Sequence, residues 1–148
     1  MKTQNKETHT CDCGHVHTIS KRKISISSTM VRGLAIAYDY CKNRGDWHFT
    51  RKEIKHLFGG DETLTATFGD LIYFGGILFK PDGKRGHWGI NFDRAELFLN
   101  NRATVAKYVI KDPVTKEVTP SETRVLMKQV KGVASMLDDE GEFVVEYR

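Results

Sequence analysis

The densest chemistry in this sequence lies in nine residues near its start. His9, Cys11, Cys13, His15 and His17 stand at alternate positions in HTCDCGHVH. Thiolates and imidazoles are ligands that zinc takes four at a time, at about 2.0–2.3 Å, in a tetrahedron. An extended strand cannot supply that geometry, since at about 3.3 Å per residue it would hold His9 and His17 roughly 26 Å apart. The segment must fold back on itself, and Gly14 is where it can turn. Cys11, Cys13, His15 and His17 are then the candidate ligands of one structural zinc ion, with His9 or the distant Cys41 competing for the fourth place. A strong zinc signal has two C-x-x-C knuckles and this chain has at most half of that, so an unmetallated segment is the competing reading. A closed four-ligand shell leaves no position for a substrate.

A second kind of chemistry is phosphate binding. Lys21, Arg22 and Lys23 form a basic triplet; Arg51, Lys52 and Lys55 recur along one predicted helix; Lys84 and Arg85 sit in a Gly-rich turn, PDGKRGH. Lysine and arginine at such places contact the nucleic-acid backbone and make binding salt-sensitive. Between Leu57 and Phe79 there is no Lys or Arg; the outward candidates there are Thr63, Thr65, Thr67, Asp70 and Tyr73. Threonines can bond base edges or touch a thymine methyl. The acids Asp61, Glu62 and Asp70 would repel phosphate, which keeps a protein partner open as the alternative.

Charge is unevenly spread. The net charge is +4, with six Lys/Arg against two acids in residues 1–32, ten against nine in 33–102, and seven against eight in 103–148. The excess lies in the N-terminal arm. No G-x-x-x-x-G-K-S/T loop, G-x-S-x-G elbow or H-E-x-x-H helix occurs, and the carboxylate pairs fall at predicted caps and turns. The expectation is a protein that is not an enzyme. Three cysteines without a paired framework suit a reducing cytoplasm. No apolar run approaches the ~20 residues of a membrane helix, and no secretory leader is expected.

These residues need elements to position them, and the stretch from Phe49 to Leu99 supplies the punctuation. Thr50 and Glu53 make a capping box, with Phe49 and Ile54 placed for a hydrophobic staple. Gly59-Gly60 ends that helix. Asp61 caps a second, whose apolar residues Leu64, Phe68, Leu71 and Ile72 repeat at helical spacing up to the stop at Gly75-Gly76. Ile77 to Lys80 and Trp88 to Phe92 read as strands around Pro81-Asp82-Gly83. Asp93 with Glu96 repeats the capping pattern for another helix. Upstream, Ile24 to Ser27 alternates as a strand that would pair with this hairpin. Ser28 or Thr29 then caps a helix with Val31, Leu34, Ala35, Tyr38 and Cys41 on one face and a stop at Gly45. Trp47 and Phe49 read as core anchors. Downstream, Thr104–Lys111 and Glu117–Thr119 suggest a hairpin, 123–131 favours a strand, and Phe143–Tyr147 a closing strand.

Helix, turn, helix, two-stranded wing, helix is an order that resembles winged helix-turn-helix domains. More narrowly, GHWGI at 86–90, AELFL at 95–99 and Val105 to Val109, with the leading Cys11-Asp12-Cys13-Gly14-His15, are similar to a pattern in small uncharacterised phage and bacterial proteins. The resemblance implies an α+β fold: a winged helix-turn-helix core of three to four helices plus the wing, with a C-terminal β-rich extension. The expected organisation is an arm at 1–23, a winged-helix domain at 24–102 and the extension at 103–148. The implied role is that of a small DNA-binding regulator, with homodimerisation open. The alternative is a protein-interaction module, such as a phage-encoded inhibitor of a host nucleic-acid machine.

Overall fold

The computed structural model describes residues 6–10, 16–83 and 85–136. The chain is mixed α+β and runs β1 (Lys6–Thr10), β2 (Val16–Ser20), β3 (Arg22–Ser25), α1 (Ser28–Arg44), β4 (His48–Thr50), α2 (Arg51–Leu57), α3 (Glu62–Gly69), β5 (Leu78–Phe79), β6 (His87–Ile90), α4 (Phe92–Leu99), β7 (Val105–Ala106), β8 (Tyr108–Lys111), β9 (Val118–Pro120) and β10 (Arg124–Val125). All strand pairs are antiparallel, and two sheets have three strands each, β4-β6-β5 and β3-β8-β9.

The helix ends follow from local side chains. Ser27 caps α1 by accepting from the Met30 N–H at 3.4 Å, one residue earlier than the sequence suggested. Gly45 closes α1 in the left-handed conformation at φ 72°, its N–H donating to the Cys41 carbonyl at 2.9 Å. The α2 box is complete: the Glu53 N–H donates to Thr50 Oγ1 at 3.2 Å and the Thr50 N–H to Glu53 Oε1 at 3.1 Å. Asp61 caps α3 through the Leu64 N–H at 3.0 Å. The helix pattern expected through Ile72 splits, because α3 stops at Gly69 and a 3-10 turn carries Asp70–Tyr73. For α4 the cap is Asn91, bonded to the Arg94 N–H at 3.1 Å, and not Asp93; strand β6 therefore ends at Ile90 and Phe92 belongs to the helix.

One apolar cluster holds these elements together. Phe68 of α3 meets Phe49, Phe58 and Trp88 at centroid distances of 6.1, 5.4 and 5.5 Å, in tilted or edge-on arrangements that aromatic rings favour. Helix α1 reaches this cluster through Gly33, where a Cβ would stand 2.9 Å from a Phe68 ring carbon. A side chain there would force the two helices apart. Ile24 of β3 and Val109 of β8 face each other in register, both buried, and Met127, Val130 and Val133 join the same core.

Two strand expectations change. The alternating segment at Ile24 to Ser27 contributes to β3, but its partner is β8; the hairpin of β5 and β6 is completed by β4. Strand β4 lies in the His48–Thr50 link, too short to show a period. The 123–131 segment is a strand only at Arg124–Val125, followed by a 3-10 turn at Met127–Gln129 that buries Met127. The expected strand at Phe143–Tyr147 lies outside the described residues. Among the described residues, no helix is long and apolar enough to cross a membrane.

Candidate nucleic-acid interface

The three basic groups differ in what surrounds them. Each member of the Lys21–Lys23 triplet has an internal partner. Lys21 Nζ lies 3.9 Å from Asp112, Arg22 reaches Asp70 at 3.4 Å, and the Lys23 ammonium sits 4.4 Å over the Tyr108 ring. Burial pushes the Asp70 carboxyl up, and the charges of Arg22 and Lys111 oppose that shift. The triplet thus stitches the edge strand β3 to its surroundings. Tyr73, expected outward, is half-buried and its hydroxyl accepts from Lys111 Nζ at 2.6 Å.

On α2, two of three cations are engaged by one acid at the start of α3. Glu62 accepts from Lys55 Nζ at 2.8 Å and from Arg51 Nη2. The Lys55 hydrogen bond, opposed by desolvation and joined by the Arg51 charge, holds the Glu62 carboxyl below its ordinary value. Arg51 is also tied through its backbone, whose N–H donates to the Gly86 carbonyl at 2.9 Å at the base of the wing. Lys52 is exposed and forms no ion pair among the described residues.

The three threonines of α3 separate. Thr63 is exposed and Thr67 is half-buried. Thr65 is fully buried, and its hydroxyl donates to the Asp61 carbonyl at 2.7 Å. The expectation of an outward Thr65 is corrected: it lies on the buried side of α3 with Leu64 and Phe68, and its hydroxyl is satisfied within the helix's own first turn.

The wing is the more open basic element. Lys80 and Arg85 are exposed and unpaired among the described residues; Lys84 lies outside them. Asp82 and Gly83 both take positive φ, 54° and 63°, which makes the turn tight, and Gly86 at φ 77° returns the chain into β6. Strand alternation then divides the sheet. Phe49, Leu78, Trp88 and Ile90 point into the core. His48, Phe79, His87 and Gly89 point away from it. Trp47, expected in the core, packs on this outer side at 45% exposure, with its ring 5.5 Å from that of Phe79. His48 Nε2 and His87 Nδ1 share a hydrogen bond of 2.8 Å. This outer face was missed from sequence, though an isolated Gly89 between bulky neighbours was the signal that something lies against the strand.

Beside the sheet, the Glu53 carboxylate also collects the Tyr40 hydroxyl at 2.7 Å and the Arg44 guanidinium. Burial alone would raise the Glu53 carboxyl. The hydrogen bonds from Tyr40 and Thr50 and the Arg44 charge outweigh it and hold the group below the ordinary glutamate value of 4.5. Arg44 donates as well to the His48 carbonyl, anchoring β4 to the end of α1.

Of the proposed zinc ligands, Cys11, Cys13 and His15 lie outside the described residues. His17 is in β2, and the β1–β2 register sets it opposite His9. Cys41 is fully buried in the core, and burial, opposed by Arg44, pushes its thiol up to about 11. Its place in the apolar cluster is that of a packing residue.

Comparison of the chain with models of known protein families, with curated proteins and with solved structures returns no match.

Proposed function

We propose that this chain is a winged helix-turn-helix protein of a phage or prokaryote that binds duplex DNA as a regulator. The observation that carries the reading is topological. The order α1, β4, α2, α3, β5, β6, with the first strand of the set against the last in a β4-β6-β5 sheet, is the arrangement a winged helix requires. In this reading Lys84 and Arg85 at the wing, with Lys80 beside them, hold the phosphate backbone. Lys52, Arg51 and Lys55 of α2 approach it from the other side, and Thr63 and Thr67 of α3 face the groove. The Lys21–Lys23 triplet contributes field more than contact, since its members are already partnered.

A protein-interaction module is the second reading, and Glu62 favours it: an acid at the start of α3 that engages Arg51 and Lys55 suits a protein partner better than a phosphate. A cytoplasmic location fits either role, and a homodimer would suit a two-fold DNA site. The arm belongs to the same proposal as a carrier of one zinc ion. The hairpin of β1 and β2 brings the chain back on itself, as a site built from Cys11, Cys13, His15 and His17 needs.

The test is fluorescence anisotropy of a labelled duplex, titrated with salt, on protein of measured zinc content. Binding that weakens with a log–log slope of about −0.9 per phosphate contact is expected. The double variant Lys84→Ala/Arg85→Ala should lower affinity and flatten the slope by about 2. Unchanged affinity and slope in that variant would remove the wing from the interface and shift the weight to a protein partner.

A further inference from the structure

The outer face of the β4-β6-β5 sheet carries four rings in a continuous row. Phe79 lies 5.5 Å from Trp47, Trp47 lies 5.9 Å from His48, and His48 stacks on His87 at 5.0 Å. The row rests on Gly89. A Cβ built there would fall 2.4 Å from Phe79 Cζ and 2.8 Å from Trp47 Cε3, so only glycine lets both rings lie down on the β6 backbone. Rings over a strand glycine protect the strand. That accounts for their packing. It does not account for Trp47 and Phe79 leaving 45% and 38% of their surfaces to solvent, when the Phe49 and Trp88 rings of the same sheet are inside.

Charges of both signs border the row, and among them Lys80 and Arg85 have no ionic partner among the described residues, whereas Arg44 is paired with Glu53. Lys80 follows Phe79 in the chain, Arg85 precedes His87 by two residues, and the Arg44 guanidinium is bonded to the His48 carbonyl. Two acids are near. Asp46 Oδ1 accepts from the His48 N–H at 3.0 Å, and Asp82 sits in the turn beyond the strands. Exposed rings flanked by cations match the two demands of an unpaired nucleotide: a flat apolar surface for the base and positive charge for its phosphate. Duplex DNA offers no free base face, so the rings take a different ligand from α2, while Lys80 and Arg85 are shared with the turn between β5 and β6.

We propose that the outer sheet face is a stacking platform for unpaired bases of single-stranded nucleic acid. Trp47 and Phe79 receive the bases, and Lys80 and Arg85 hold the backbone that runs past them. Stacking does not discriminate between bases, so the platform is sequence-tolerant. The proposal does not depend on the duplex reading.

The experiment uses tryptophan emission of the full chain titrated with a short oligothymidylate, with a blunt duplex run in parallel. Trp47 is exposed and Trp88 is buried, so quenching reports the platform. Saturable quenching by oligothymidylate is expected. The variants Trp47→Leu and Phe79→Leu should each bind it about tenfold more weakly, read by anisotropy of labelled oligonucleotide. Gly89→Ala keeps both aromatic residues but displaces their rings, and should weaken binding comparably; circular dichroism melts check that each variant is folded. Binding without quenching, variants that bind as the wild type does, or duplex binding with none to oligothymidylate would each overturn the platform. Oligothymidylate binding without duplex binding would sustain the platform and overturn the duplex reading alone.

Discussion

Two faces built over one aromatic core use their charges differently. On the α2–α3 face, Arg51 and Lys55 converge on Glu62, and Lys52 is the one basic side chain of the three left exposed and unpaired among the described residues, beside Asp61, Glu62 and Thr63. On the wing and outer sheet, Lys80 and Arg85 have no ionic partner among the described residues, and aromatic rings stand exposed beside them. The two faces have similar numbers of cations. What separates them is availability: a cation already paired must lose one partner to gain another, so it adds less to binding than its presence in a sequence suggests.

The comparison is tested hardest by removing what both faces share. Phe68 touches Phe49, Phe58 and Trp88, so Phe68→Ala should cost about 3–5 kcal/mol. Chemical denaturation reads that loss, and ligand binding at both faces should fall together. Loss at one face alone would mean that the faces are independently supported.

Glu62→Gln sharpens the contrast from the other direction. It releases Arg51 and Lys55, so duplex affinity should rise and the log–log salt slope should steepen by about 1–2. Oligothymidylate binding, measured on the same preparation, should stay where it was. Weaker duplex binding in this variant would show that Glu62 contributes to recognition and does not compete with it.

Glu53 gives a test through pH. Its carboxyl titrates below 4.5 in the folded chain, so the stabilisation it provides is present above that value and is lost as pH falls through the folded pKa. Denaturant midpoints of the wild type should therefore drop on acidification more steeply than those of Glu53→Gln. Parallel pH profiles would mean that the Tyr40–Arg44–Thr50 network gives no net preference for the charged form.

The smallest expected effect is that of Thr65→Val. It removes the hydrogen bond to Asp61 and leaves the packing, so a cost of about 0.5–1.5 kcal/mol in stability is expected. Duplex affinity should not change, whereas a loss comparable to that of Thr63→Val would return Thr65 to the interface.

What could be read from sequence was local. The Thr50–Glu53 box, the Asp61 cap and the Gly45 stop are each decided within a few residues of chain, and each stands as expected. What could not be read was pairing across long separations. The Ile24–Ser27 strand was visible but its partner β8 was not, because alternation tells which face is buried and says nothing of the neighbour. Trp47 was assigned inward on hydrophobicity alone; the Phe79 ring and the bare Gly89 backbone that hold it outside meet it only in the folded sheet. In the same way, Arg51 and Lys55 counted as available cations until the turn between α2 and α3 brought Glu62 beside them.

The pairing of β3 with β8 also orders events in time. Ile24 has no register partner until Val109 has been synthesised, and Met127, Val130 and Val133 complete the core only later still. Closing so long a loop is entropically slow, so the nascent helices must wait with one side uncovered. A chain released at residue 102 is expected to expose that side and aggregate, and one released beyond Val133 to fold. The stretch from Val105 to Val133 therefore has to be made before the core that both faces share can close.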